Sequence, residues 1–289
     1  MRHNLRRSSI YVPGDSEKML QKAATFESDV LVLNLEDGVA LSQKITARRN
    51  VADVLKRGIY EKQEIWVRVN PLNGDFGGSD LADIIPQRPD GICLPKVESA
   101  EEIQLADRSI QEIEARCSVS EPSVGIHAMI ESAKGLVHAA EIAAAVPRMS
   151  SLVFGSADYC SDVRCQPGED RAELLYALQT IITAARSAGI DAIDAPCFDI
   201  HNQDLLERES SVARRLGFDG KSVLHPKQLE TINRIFDVTD EEIEWAETTL
   251  AELEEAENRG RALTTVKGRL IDNPHRAAAQ RILNLRNSR

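Results

Sequence analysis

A chain of 289 residues with 28% charged and 42% hydrophobic residues has the composition of a globular protein with one large domain or two small ones. Its net charge of -11 argues against binding to nucleic-acid phosphates, which usually need a basic face. Any anionic ligand must therefore be held by a few local cations.

The number and spacing of the cysteines, together with the hydropathy of the chain, indicate the cellular compartment. The five cysteines are odd in number, and none has C-x-x-C spacing, so neither a disulfide framework nor a zinc knuckle is predicted. No apolar run approaches the roughly 18 residues that cross a bilayer, and no export signal is evident. We expect a cytoplasmic protein with no membrane partner.

Short apolar runs with β propensity recur along the chain, and a helical pattern follows each of them. The runs predicted as strands are residues 9–13, 30–37, 64–70, 91–96, 123–131, 152–158, 190–195 and 220–225. The intervening helical patterns include residues 16–26, 43–56, 100–116, 135–145, 171–188 and 202–216. Eight β/α units in succession favour a closed (β/α)8 TIM barrel, an α/β fold, over an open doubly wound sheet.

The segment after the eighth unit has a different pattern. Thr239 and Glu242 form a capping-box sequence that predicts a long acidic helix ending near Asn258. A glycine-flanked stretch follows, and a last helix is predicted from about Pro274. The predicted domains are a barrel catalytic domain over residues 1–236 and a C-terminal helical extension over residues 237–289.

Polar residues gather where the predicted strands end. They are Glu36 and Asp37, Arg68 and Asn70, Lys96, Glu131, and Asp158. The carboxyl ends of barrel strands form the active face, and charges there are costly to desolvate unless they are paired or bind a ligand. The pattern predicts one active site at this end of the barrel.

The acids and the arginine each allow two interpretations. Glu131 and Asp158 are hard oxygen ligands suited to Mg2+, although either could instead cap a helix or pair with a lysine. Arg68 could hold a carboxylate or an enolate oxygen bidentately, or could be a structural partner of Glu36 or Asp37.

Three further residues are more ambiguous. Asp37 could orient Arg68 or a metal-bound water, or could cap a loop. Lys96 could anchor a phosphate, but a solvated lysine without a role is the favoured interpretation. His127 is interpreted as an interior histidine rather than a ligand. No nucleophile elbow and no dinucleotide fingerprint is present.

Taken together, the motifs resemble those of the citrate lyase β subunit and malyl-CoA lyase family within the HpcH/HpaI aldolase superfamily. The resemblance covers essentially the whole chain, and it rests on the segments RSSIYVPG, LNLEDGVA, VRVN, LPKVES, MIESAKG, FGSADY, GFDGKSVLHPKQ and GRLIDNPH. One departure is VRCQPGED, which stands where citrate lyase β subunits tend to carry Arg-Thr and then Gly-x-Glu. This difference puts a carrier-protein citryl substrate in doubt.

The resemblance implies a metal site and a catalytic set. Mg2+, with Mn2+ as an alternative, is expected on Glu131 and Asp158. Arg68 is expected beside the keto-acid carboxylate and the enolate, with Glu36 and Asp37 near it.

The resemblance also implies roles for residues elsewhere in the chain. Arg7, Lys18 and Lys221 are expected to bind coenzyme A. Asp272 matches an acid/base residue that reaches the site of an adjacent subunit, so the C-terminal extension is expected to be a lid and an oligomer contact. A homo-oligomer, either a trimer or a hexamer, is expected.

The function that this resemblance implies is cleavage of a 3-hydroxyacyl-CoA, such as (S)-citramalyl-CoA, to acetyl-CoA and a 2-keto acid. The alternatives are a malyl-CoA lyase, a malyl-CoA thioesterase, and a citrate lyase β subunit acting on a carrier protein in a complex.

Overall fold

The computed structural model describes residues 5–117 and 124–287. Eight parallel strands close into a barrel in sequential order, each hydrogen-bonded to its neighbours, and the last pairs with the first. They are β1 Ser8–Pro13, β2 Val30–Asn34, β3 Glu64–Arg68, β4 Gly91–Leu94, β5 Gly125–Ile130, β6 Met149–Phe154, β7 Asp191–Asp194 and β8 Gly220–Val223. The predicted (β/α)8 barrel is confirmed; residue Ser123 of the fifth predicted strand lies outside the described residues.

Helices connect the strands. They are α1 Glu17–Ala23, α2 Lys44–Arg57, α3 Gly77–Ile84, α4 Ala100–Arg116, α5 Ala133–Val137, α6 Ala139–Ala143, α7 Ser156–Val163, α8 Leu175–Ala188, α9 Gln203–Leu216 and α10 Leu229–Phe236. None of the helices in the described part of the chain is long and apolar enough to cross a membrane.

The strands alternate between two cores, as the two-residue repeat of a strand requires. Residues such as Val32, Trp66 and Met129 form a cluster inside the barrel. Their neighbours, such as Leu31, Leu33 and Val67, join the larger cluster between the strands and the helices. A polar residue on a strand can therefore be buried either inside the barrel or between the strands and the helices. Only a side chain inside the barrel can face a site at the end of the barrel.

The amino-terminal end of the barrel is closed by Arg6. Its guanidinium pairs with Glu64 and Asp191, each at 2.8 Å, and lies over the Trp66 ring at 5.4 Å. Inside this end, the His127 ring stacks on Trp66 and its Nδ1 bonds Ser151 Oγ at 2.8 Å. His127 is thus an interior histidine, as predicted, and burial lowers the pKa of its imidazole well below the usual range.

The chain forms two compact units, with the boundary between Phe236 and Asp237. In the second unit, α11 Asp240–Asn258 begins at Thr239, whose capping box with Glu242 is formed as the sequence predicts. The hairpin of β9 Thr264–Val266 and β10 Arg269–Ile271 follows, and then α12 Asn273–Asn287.

Candidate active site

Most predicted strands end earlier in the structure than in the sequence pattern. β2 ends at Asn34, β3 at Arg68, β4 at Leu94 and β6 at Phe154. One more backbone bond to the adjacent strand follows β2, β3 and β6, such as the Leu35 N–H to the Arg68 carbonyl at 2.8 Å, and side chains then bond the backbone as well. The Lys44 ammonium, for example, donates to the carbonyl oxygens of Leu35 and Glu36, both at 2.9 Å. The polar residues therefore stand on the loops at the carboxyl end.

Arg68, the last residue of β3, is the centre of the site. Its Nε donates to Asn34 Oδ1 and its Nη2 to the Asp37 carbonyl, both at 2.8 Å, and Nη2 lies 3.1 Å from Glu36 Oε2. Its remaining Nη1 donates to the Met129 sulfur at 3.8 Å, and the guanidinium lies over the Tyr11 ring, 5.2 Å from the ring centroid. A sulfur is a weak acceptor, so this N–H can turn to a substrate oxygen at little cost.

Lys96 joins the two acidic parts of the site. Its Nζ lies 3.0 Å from Glu36 Oε1 and 3.0 Å from Asp37 Oδ2, while its backbone N–H donates to Glu131 Oε1 at 2.6 Å. This bond requires a left-handed backbone, φ 54°, which is costly for a residue with a Cβ. The interpretation of Lys96 as a solvated lysine without a role is therefore wrong, because both its side chain and its backbone bind site carboxylates.

Glu131 follows β5 and is buried against the next strand connection. A Cβ on Gly155 would lie 2.3 Å from Glu131 Oε2, so glycine is required at this position. Burial, and then the charges of Asp158 and Glu36, raise the pKa of Glu131 to about 7, although the Lys96 N–H and the charge of Arg68 oppose them. No ion pair with a lysine or arginine is formed by Glu131 within the described part of the chain.

Asp158 lies in the first turn of α7, not at the end of the sixth strand as the sequence pattern predicts. The helix begins at Ser156, two residues after β6 ends, and the Asp158 side chain is exposed. The charge of its carboxylate raises the pKa of Glu131.

These two carboxylates meet the chemical requirement of a magnesium ion. Mg2+ typically takes one or two protein carboxylates and completes its octahedron with water and substrate oxygens. Among the described residues no group of three or more His, Cys, Asp or Glu side chains could hold a metal alone, so substrate and water would have to complete the coordination. A buried carboxylate that forms no ion pair within the described part of the chain fits this role.

The pKa of Glu131 gives a testable pH dependence for the metal-free protein. In the unfolded chain Glu131 ionises near pH 4.5, but in the folded protein near pH 7, so the folded state binds the proton more tightly. The free energy of unfolding, measured relative to Glu131→Gln, should fall as the pH rises through that interval and stay level above it. Saturating Mg2+ should remove the fall. Urea unfolding across the pH range checks this, and identical curves for the two proteins without metal would contradict it.

A cleft of about 340 Å³ adjoins the Lys96 side of the site. The loops after β3 and β4 and the first half of α4 line it, with the residues Pro71, Leu72, Asn73, Leu94, Pro95, Lys96, Val97, Glu98, Glu102 and Leu105. The lining is mainly aliphatic, so the cleft suits an uncharged chain more than a free phosphate.

The structure does not bring two of the three residues expected to bind coenzyme A to this end of the barrel. Arg7 precedes β1 at the opposite end, where it pairs with Asp29 through Nε and Nη2, both at 2.8 Å. Lys221 has a fully buried side chain on the outer side of β8, 2.6 Å from Asp194 and 3.1 Å from Glu209. The Lys221 ammonium is closed to a phosphate from solvent, whereas the Arg7 guanidinium is partly exposed and paired with Asp29. Lys18 remains exposed in α1, after β1.

The buried ion pairs predict that Lys221 stabilises the fold instead of binding substrate. Lys221→Met should lower the free energy of unfolding by about 3 kcal/mol, because a buried carboxylate loses one of its partners. The KM for a CoA ester should not change in the folded fraction. Lys18→Ala should do the opposite, raising KM without a change in stability. Denaturant titration and steady-state kinetics of the two variants check this; a raised KM in folded Lys221→Met would restore its predicted role.

Asp272 lies in the second compact unit, between β10 and α12. Its Oδ1 is 2.6 Å from His275 Nδ1, and both side chains are partly exposed. Its predicted acid/base role stays a prediction.

Sequence reasoning missed Asn34 and Met129, and it placed Lys96 at the active end of the barrel but missed its role. Asn34 had a readable signal, since it is the polar end of the run VLVLN. The role of Lys96 depends on its left-handed backbone, which no local sequence pattern indicated.

Comparison with known proteins agrees with this geometry. The model of the HpcH/HpaI aldolase/citrate lyase family matches residues 7–226. Citrate lyase subunit beta of Haemophilus influenzae is 36% identical over 270 residues, which cover 93% of each protein. A (3S)-malyl-CoA thioesterase of Cereibacter sphaeroides is 35% identical over 277 residues, covering 96% of this chain and 93% of the relative.

Solved structures give the same result. Protein CitE from Mycobacterium tuberculosis, in complex with magnesium, acetoacetate and coenzyme A, has a TM-score of 0.77 at 26% identity, over 99% of this chain and 100% of that one. This chain belongs to the HpcH/HpaI aldolase/citrate lyase family, and the enzyme class predicted from its sequence, a carbon–carbon lyase, is confirmed at that level.

Proposed function

We propose that this enzyme is a Mg2+-dependent lyase that cleaves a 3-hydroxyacyl-CoA to acetyl-CoA and a 2-keto acid, with (S)-citramalyl-CoA as the preferred substrate. The observation that carries the proposal is the buried Glu131 carboxylate, which forms no ion pair with the described lysines and arginines, is affected by the charge of Asp158 and lies at the same barrel end as Arg68. The magnesium, acetoacetate and coenzyme A bound by the CitE relative support it.

Glu131 and Asp158 would hold the metal. Bound there, Mg2+ supplies a Lewis acid that lowers the pKa of the substrate hydroxyl and attracts its carboxylate. Glu131 is fixed for this task by the Lys96 N–H and by its packing on Gly155, so its carboxylate is oriented before substrate arrives. Such preorganisation lowers the reorganisation cost at the moment of reaction.

Arg68 stabilises the negative charge that develops during cleavage. Once the hydroxyl proton has passed to the acid/base residue, a role that we assign to Asp272 below, the bond between the carbinol carbon and the carbon next to the thioester breaks, and its electron pair passes to the thioester as an enolate. Asn34 and Glu36 hold the Arg68 guanidinium in place. Its Nη1–H is therefore positioned to donate a hydrogen bond to the enolate oxygen. The enolate carbon then takes a proton.

Glu36 and Asp37 position the cations of the site. Glu36 pairs with both Arg68 and Lys96, and Asp37 pairs with Lys96. Although partial burial opposes it, the hydrogen bond from Lys96 lowers the pKa of Asp37, so this carboxylate stays ionised. We assign them positioning roles in catalysis.

The same charges favour a small keto acid. Arg68 and Lys96 are each already paired with Glu36, so an additional carboxylate on the keto acid, as in oxaloacetate, would face acidic groups. Pyruvate and glyoxylate carry no such group. The aliphatic cleft beside Lys96 has room for part of the thioester arm, and Lys18 is the remaining candidate for the coenzyme A phosphates.

We assign the proton donor for the enolate carbon to Asp272, and the roles of lid and oligomer contact to the C-terminal unit. Asp272→Asn should suppress cleavage by about 10²–10⁴-fold, the usual contribution of a general acid or base, while CoA-ester binding is kept. Isothermal titration calorimetry and single-turnover cleavage check the two parts separately. Lost binding would make Asp272 a structural residue.

The reaction is tested by following both products of one substrate. Purified protein with Mg2+ should release acetyl-CoA and pyruvate in equal amounts from (S)-citramalyl-CoA, faster than acetyl-CoA and glyoxylate from malyl-CoA. Free thiol without keto acid would instead select thioester hydrolysis, the activity named for the Cereibacter relative. Inactivity on both esters, with turnover of a citryl thioester only beside partner subunits, would select the citrate lyase role.

A further inference from the structure

Helix α7, which carries Asp158, ends in a turn that brings two cysteines together. Arg164 has a left-handed backbone, φ 60°, and its N–H bonds the Cys160 carbonyl. The Cys165 N–H bonds the same carbonyl at 3.0 Å. The Cys165 bond is the 6→1 bond of a Schellman motif, in which the side chains of the two bonded residues, five positions apart, frequently form an apolar contact. Here both positions are cysteines.

The environment of the pair allows both contact and reaction. Both cysteines are free, partly exposed and packed at the edge of the barrel core. Cys93 and Cys197 are buried, whereas Cys117 is exposed at the end of α4. The pair therefore combines access from solvent with a neighbouring thiol that can complete a disulfide.

We propose that Cys160 and Cys165 are a modification site, a dithiol that closes to an intramolecular disulfide by exchange with a small-molecule disulfide such as oxidised glutathione. The Cys165 thiolate attacks one glutathione sulfur, forming a mixed disulfide and releasing one glutathione thiolate. The Cys160 thiolate then attacks the Cys165 sulfur, forms the protein disulfide and releases the second glutathione thiolate. The protein loses both thiol protons and two electrons, and oxidised glutathione is reduced to two thiols.

Closure changes the helix that carries Asp158. A disulfide would join Cys160, in the last turn of α7, to Cys165, beyond the left-handed end of the helix, and so would restrain that turn. Asp158 stands only two residues before Cys160 in this helix, which is just over two turns long. On the proposed function, in which Asp158 holds Mg2+, the oxidised protein should bind Mg2+ about 10-fold more weakly, as when a residue that orients a metal ligand is changed.

The test separates the chemistry of the disulfide from its effect on the metal. The full-length protein is equilibrated with oxidised glutathione, and intact mass and peptide mapping are recorded. We expect the mass to fall by both thiol hydrogens and a cross-linked peptide that joins Cys160 to Cys165. Cys160→Ser and Cys165→Ser should each show a glutathione adduct instead, while Cys117→Ser should still form the disulfide. A wild-type protein that carries only glutathione adducts, or a cross-link at another cysteine, overturns the proposal.

The metal effect is measured on the same samples by Mg2+ titration calorimetry, before and after reduction with dithiothreitol. Weaker binding that reduction restores supports the proposed coupling, and equal affinity in the two states overturns it. The mass measurement needs neither Mg2+ nor a substrate, so failure of the proposed lyase activity would leave the disulfide result standing. If either serine variant does not fold, the wild-type peptide map alone decides the proposal.

Discussion

Asp158→Ala should lower kcat for CoA-ester cleavage by at least about 10³-fold, because a Lewis-acid metal contributes several kcal/mol to transition-state stabilisation. Asp158 is exposed on α7, so its removal should have little effect on folding. Steady-state kinetics at saturating Mg2+, with circular dichroism to confirm folding, provide the measurement.

Asp162→Ala is the matched control for this variant. Asp162 is an exposed acid on the same helix, and it accepts a hydrogen bond from the Ala133 N–H at 2.7 Å instead of facing Glu131. We expect near-normal turnover from it. Wild-type rates in Asp158→Ala would exclude this residue as a metal ligand.

Arg68→Lys should lower kcat/KM by about 10²–10³-fold, the range found when one oxyanion donor is lost. A lysine keeps the charge, but its point-like ammonium cannot bond Asn34, the Asp37 carbonyl and Glu36 and still offer an N–H to the substrate. The loss should appear mainly in kcat, because the contact strengthens as the enolate forms.

Arg148→Lys is the control for a buried arginine. Arg148 is 8% exposed, against 9% for Arg68, and it pairs with Asp107 and Glu114 just before β6, at the amino-terminal end of the barrel. Both variants should lose stability, but only Arg68→Lys should lose catalysis in the folded protein. Equal kinetic losses in the two would mean that Arg68 acts only through the fold.

The architecture was predictable because the barrel repeats one local pattern. Each β/α unit has its own apolar run and amphipathic helix, and the Thr239 capping box correctly indicated the start of α11. The grouping of Arg68, Glu36 and Asp37 was also predictable, since parallel strands end on the same face of a barrel.

The residues expected to bind coenzyme A were less predictable because their roles came from motif resemblance alone. Lys221 belongs to a motif near the active face. Its neighbour Ser222 lies near Tyr11 inside the barrel, and successive side chains of a strand alternate, so the Lys221 side chain points to the outer side. Strand alternation could have shown this. Arg7 stands before its strand, which already places it at the amino-terminal end.

The most direct measurement for this account is the rate of pyruvate formation from (S)-citramalyl-CoA by chelator-stripped enzyme as Mg2+ is added back. We predict no detectable pyruvate without metal, a saturable rise with Mg2+, and equimolar acetyl-CoA. Full-rate pyruvate formation in the stripped enzyme would contradict metal-assisted cleavage at Glu131 and Asp158.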